Sequence, residues 1–118
     1  MIKDQQEYVR TIAKAISRIE EATAKISKEE FENDWMAQDA IAKELEEIVE
    51  AAGKLSDELR ANYPNISWKA IIGMRHILIH DYSNADLDIV WDTAIKGIPE
   101  FKAAFTELPD SRELKPAA

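Results

Sequence analysis

Residues 67–82 read Ser67-Trp68-Lys69-Ala70-Ile71-Ile72-Gly73-Met74-Arg75-His76-Ile77-Leu78-Ile79-His80-Asp81-Tyr82. The stretch follows Tyr63-Pro64-Asn65. A residue before proline is pushed out of the α region, so one helix ends there and Ser67 offers an N-cap for the next. With Trp68 placed at zero on a wheel of about 100° per residue, Ile72 falls near 40°, Ile79 near 20°, Leu78 near 280° and Ile71 near 300°. The spacing predicts a helix over 68–80 with one apolar face. Arg75 lands near 340°, inside that face as drawn.

A guanidinium cannot shed its charge and is costly to bury alone, so an arginine in an apolar stripe requires a carboxylate, an open cleft or a ligand phosphate. Glu50 is a candidate for the carboxylate. His80 lies five residues on, about 140° round the same helix, so Arg75 and His80 converge only near the helix end or across a subunit interface. The plainer reading makes Arg75 an internal ion-pair partner and His80 a helix-end residue favoured by the dipole.

Working outward, Asp4 and Glu7 form a capping-box pattern, and Val9, Ile12, Ile16, Ile19 and Ile26 recur at helical spacing, which predicts a helix over 5–25. Ser27 with Glu30 opens a short connector that carries Phe31 into the core. From 34 to about 62 no proline interrupts, and Trp35, Ile41, Leu45, Ile48, Val49, Ala52, Leu55 and Leu59 predict one long helix. Gly53 inside it suggests close approach of a neighbouring helix, since an interior glycine otherwise costs about 1 kcal/mol relative to alanine. Residues 81–85 read as a turn. Leu87, Val90, Trp91, Ala94, Ile95 and Ile98 resume the helical period, Pro99 is expected to kink or restart that helix, and Phe101 and Phe105 continue its face. The expectation is one helical domain over 1–108 and a mobile tail over 109–118.

The composition agrees with an all-α, up-and-down bundle of four to five helices. The chain of 118 residues has three glycines and four prolines, too few for a fold of strands and tight turns, and its length suits a single core. Heptad-like stripes also suit a homodimer. The absence of cysteine removes disulfides, thiolate nucleophiles and Cys-ligated zinc, and fits a reducing compartment. No apolar run approaches the roughly 20 residues of a membrane span, so a soluble cytoplasmic protein with no membrane partner is expected. Fifteen Lys and Arg stand against 23 Asp and Glu, a formal charge of −8, which repels nucleic acid at long range. Any phosphate site must therefore be local.

Other candidate chemistry is weaker. His76 and His80 have the i, i+4 spacing of metal ligands, but no third ligand is evident, so no metal is assigned. Glu44, Glu46, Glu47 and Glu50 read as a solvated helix face. Trp35, Trp68 and Trp91 read as core fillers rather than base-stacking platforms.

The stretch 67–82 resembles the HepT-like branch of the HEPN superfamily. The signature is an arginine, a polar residue, three mostly apolar residues and a histidine, then a tyrosine one residue later. Arg75, His76, His80 and Tyr82 occupy these places. Asparagine is the commonest residue after the arginine, where this chain has histidine. The resemblance extends through Phe31-Glu32-Asn33-Asp34, Glu50-Ala51-Ala52, residues 63–68 and residues 90–99, covering most of the chain.

The resemblance implies a HEPN-like helical fold and a metal-independent endoribonuclease toxin of the MNT/HepT type, with no cofactor. It implies that Arg75 holds the scissile phosphate and His80 is general acid or base, with His76 and Lys69 available to bind substrate, at a cleft between two subunits of a homodimer. The implied partners are RNA and a cognate nucleotidyltransferase antitoxin that adenylylates Tyr82. Tyr82 has the alternative of a helix-end core tyrosine. For the whole chain the alternatives are a non-catalytic nucleotide-binding or docking subunit for a nucleotidyltransferase, and a helical dimerisation module.

Overall fold

The computed structural model describes residues 2–78 and 83–106. The tail expected over 109–118 lies outside them. Among the described residues the chain is helical throughout, with no strand: α1 (Ile2–Ala24), α2 (Lys28–Glu32), α3 (Trp35–Lys54), α4 (Asp57–Ala61), α5 (Trp68–Gly73), α6 (Arg75–Leu78), α7 (Asn84–Asp92), a π-helical turn (Thr93–Gly97) and α8 (Ile98–Thr106). The all-α bundle expected from composition is present, with its predicted helices cut into shorter segments. No helix among the described residues is long and apolar enough to cross a membrane.

The bundle is organised on α1 and α3. Val9, Ile12, Ile16 and Ile19 form the buried stripe of α1, and Ile41, Leu45, Ile48, Val49 and Ala52 that of α3. The two helices run antiparallel, because the Gln5 amide at the start of α1 donates to the Lys54 carbonyl (3.3 Å) and accepts from the Ser56 N–H (2.7 Å) at the end of α3. One side chain thus satisfies backbone groups that a helix end leaves open. The α1 helix begins at Ile2, so the backbone at Asp4 is already helical and the Asp4–Glu7 pattern does not mark its start.

The long helix expected over 34–62 divides in two. Leu55 leaves the helical region at φ −69° and ψ 143°, and Ser56 caps α4 by accepting from the Leu59 N–H (3.1 Å). Ser56 with Asp57 and Glu58 is a start signal that the apolar stripe obscures. No neighbour lies within 4 Å of a Cβ built on Gly53, so the close helix approach expected there does not occur. Its carbonyl instead accepts from the Arg60 guanidinium (3.1 Å).

Pro99 falls in the first turn of α8, which restarts at Ile98 after the π turn. The π turn widens the chain just before it, with the Ile98 N–H reaching back to the Thr93 carbonyl. A proline in an α-helix would crowd the carbonyl four residues earlier, and the wider turn relieves that conflict. The helix passes through Trp91, Ala94, Ile98, Phe101 and Phe105, all buried. It runs parallel to α3: Trp91 packs on Phe31 just before α3 (centroids 5.1 Å apart), and Phe105 stacks on Tyr63 beyond its far end (4.7 Å).

Phe31 is fully buried on the short, capping-boxed α2 and links it to α7. Phe31→Ala is expected to cost about 3–5 kcal/mol, read as a lowered midpoint in urea unfolding. A loss below about 1 kcal/mol, the scale of a surface substitution or less than a core cavity, would contradict this role.

Candidate functional site

The segment that carries the arginine starts at the far end of α3 and runs back along it. The Trp68 indole N–H donates to the Arg60 carbonyl (3.2 Å), and Arg60 is itself tied to Gly53 near the end of α3. The following helices α5 and α6 both pack on α3, so α6 sits nearer its beginning. Ser67 occupies the N-cap position of α5, but its hydroxyl makes no capping hydrogen bond.

A single helix over 68–80 is not what forms. At Met74 the ladder tightens: the Met74 N–H reaches the Ile71 carbonyl (3.1 Å) and the Ile77 N–H the Met74 carbonyl (3.0 Å), both three residues back. Leu78 is buried, and Ile71, Met74 and Ile77 pack against the core. The inward face is therefore centred on Ile71, Met74 and Leu78, at about 240–300° on the wheel, not on Trp68 and Ile72. Ile72, partly buried like Ile71 and Met74, is not among the side chains packed against the core, whereas Trp68 packs there at the start of α5.

Arg75 stands about 70° from the centre of that inward face and is exposed. This corrects the expectation of an arginine inside the apolar face. Among the described residues no carboxylate pairs with it, Glu50 included, which is itself exposed. The signal that would have found this is Met74: it continues the i, i+3, i+7 series from Ile71 to Leu78.

Lys69 and His76 are also exposed. They are seven residues apart, so an ideal helix would set them within about 20° of each other. Lys69, Arg75 and His76 are all on the solvent side of α5 and α6, Arg75 about 100–120° round the wheel from the other two, in a chain of net charge −8. Among the described residues no group of three His, Asp or Glu is gathered to hold a metal. His80 and Tyr82 lie outside the described residues, between Leu78 and Ser83, where Ser83 opens α7 with a capping box to Asp86.

The inner side of α5 faces a half-open cleft of about 340 Å³. Leu45, Ile48 and Val49 of α3, Ile71 and Met74, and Ile98 and Phe101 of α8 make it apolar, and its one charged lining residue is Glu100. A cleft with a carboxylate and no cation does not suit phosphate. The phosphate-competent surface is the outer one.

Comparison with known proteins places the chain in a family. The ribonuclease HepT-like family profile matches residues 12–108. The chain belongs to this family of ribonucleases. It is 35% identical over 108 residues to a protein of Thermococcus cleftensis named "Probable ribonuclease HepT", covering 92% of this chain and 98% of that one. It is 34% identical over 107 residues to a "Putative RNase" of Caldanaerobacter subterraneus, covering 91% and 96%. A Methanocaldococcus jannaschii protein also named as an RNase is 39% identical over 93 residues, covering 79% and 80%. No solved structure matches the chain.

Away from this surface, burial pushes the Tyr63 phenol above its ordinary value of 10.0. The folded state then holds the proton more tightly than the unfolded chain, so the contribution is intact below the ordinary value and is lost as pH rises through the raised one. Wild-type stability is expected to fall above pH 10 more steeply than that of Tyr63→Phe, measured by urea unfolding across alkaline pH. Parallel curves for the two proteins would contradict it.

Proposed function

We propose that the protein is a metal-independent endoribonuclease and the toxin of a toxin–antitoxin pair. The observation that carries the reading is Arg75: exposed, without a carboxylate partner among the described residues, and held on a segment whose opposite face is anchored in the core. Its fork of donors matches the oxygens of a phosphodiester. His80, five residues on, supplies an imidazole suited to proton transfer near neutral pH.

In this reading Arg75 grips the scissile phosphate and spreads its developing charge. Lys69 and His76 hold neighbouring parts of the strand. His80 as base takes the proton of the 2′-hydroxyl, whose oxygen attacks the adjacent phosphorus. The bond to the 5′-oxygen breaks, and a protonated imidazole supplies the proton to that leaving oxygen. The products are a 2′,3′-cyclic phosphate and a 5′-hydroxyl. The nucleophile belongs to the RNA, so the step needs no metal and no covalent enzyme intermediate.

Arg75 and His80 are about 140° apart on an ideal helix, so the site is completed in a homodimer where the motifs of two chains line one cleft. The partner that silences it is a nucleotidyltransferase antitoxin that adenylylates Tyr82. The added phosphate would repel the RNA backbone beside the cleft.

Purified protein is expected to cleave RNA in the presence of a chelator and to leave cyclic phosphate ends. His80→Ala is expected to slow cleavage by about 100-fold or more. Equal cleavage by wild type and His80→Ala would overturn the catalytic assignment, and chelator-sensitive cleavage would overturn the metal-independent one.

A further inference from the structure

The least expected side chain in the fold is Trp35, whose sequence pattern reads as core. It is 67% exposed, and among the described residues its ring has no aromatic partner. Its backbone is nevertheless firmly held. Trp35 is the first residue of α3, the Asp34 carboxylate accepts from the N–H groups of Met36 (3.0 Å) and Ala37 (3.2 Å), and the Gln38 amide donates to the carbonyls of Phe31 (2.9 Å) and Glu32 (3.2 Å). A large flat ring on a fixed mount is pre-organised for a contact outside the chain.

The helical phase says where that mount stands. Trp35, Ala42 and Val49 are spaced by sevens, so they fall within about 40° of one another on α3. Val49 lines the cleft against α5, which puts Trp35 on the α5–α6 side of α3. Along the axis, Leu45 and Met74 share the cleft, and α6 continues from Met74 toward the beginning of α3. Trp35 is ten residues before Leu45, about 15 Å along α3, at the end of the bundle that the chain reaches after Arg75 and His76. An extended strand lying on those two residues would pass the indole within a few nucleotides.

We propose that Trp35 stacks on a base of bound RNA close to the cleavage position, and so contributes to which sites are cut. The proposal rests on the reading of the Arg75 surface as the RNA-binding surface and adds a residue to it. Size favours a base over a subunit: the indole offers roughly 150–250 Å², and even with the adjacent Met36, 61% exposed, the patch is smaller than the about 800 Å² per partner of a standard protein interface. Glu32, Asp34 and Asp39 flank the indole in sequence and disfavour a phosphate contact at that point, so the contact available to the ring is with a base through its π face. The division of labour follows: cations on α5 and α6 take phosphates, and the ring takes a base.

The test is binding of a short 2′-O-methyl oligoribonucleotide, which lacks the free 2′-hydroxyl nucleophile, followed by anisotropy and tryptophan fluorescence. Wild type, Trp35→Ala, Trp35→Phe and Arg75→Ala are compared, with sedimentation of each. The expectation is that RNA quenches wild-type fluorescence, that Trp35→Ala weakens binding about tenfold and removes the quenching, and that Trp35→Phe keeps most of the affinity. If Arg75→Ala weakens binding and Trp35→Ala does not, the stacking role is overturned and the ribonuclease reading stands. If neither weakens it, both fall. A change of sedimentation in Trp35→Ala would show a subunit contact and overturn the proposal.

Discussion

The seating of Ile71, Met74 and Leu78 against α3 is the contact on which the functional surface depends. The buried Leu78 contributes roughly 1.5–3 kcal/mol, and the partly buried Ile71 and Met74 add smaller shares. Once these three face inward, Arg75 and His76 are obliged to face outward, and the tightened turn at Met74 closes the backbone bonds that allow it. The arginine is therefore exposed by the packing of its neighbours. Burying it instead would have required a carboxylate, and none among the described residues pairs with it.

The rest of the bundle holds that segment in place from both ends. Tyr63, Trp68, Phe101 and Phe105 form a chain of ring contacts at centroid separations of 4.7–6.3 Å, which fixes the start of α5 to α8. At the other end, Phe31 and Trp91 tie α2 to α7, and Lys28 reaches Asp88 (3.3 Å) on the surface above them. The helices on either side of residues 79–82 are thus anchored independently.

Much of this is legible in the sequence. The stripes of α1, α3 and the α7–α8 helix are regular enough to predict their buried faces residue by residue, because wide apolar stripes leave one solution. Breaks within continuous apolar patterns are harder to read. Ser56 restarts a helix inside what looks like one stripe, and a π turn precedes the restart at Ile98, because both depend on backbone groups finding partners elsewhere. Arg75 is legible from residue type and motif, but its outward face is legible only when Met74 is counted in the apolar series with Ile71 and Leu78. Trp35 reads as core because its spacing from Ala42 and Val49 fits the stripe. It is 67% exposed all the same, being at the edge of that stripe in the first turn of α3.

An acidic ribonuclease must concentrate its attraction for RNA in a few side chains, and the account assigns the central one to Arg75. The most direct measurement is the salt dependence of binding to a non-cleavable single-stranded RNA for wild type and Arg75→Ala, with the stability of both proteins recorded. Loss of one phosphate contact should weaken binding and reduce the slope of log affinity against log salt by about 0.7, with unfolding unchanged. Equal affinity and slope in the two proteins, with Arg75→Ala markedly less stable, would show an arginine that serves the fold and would contradict the account.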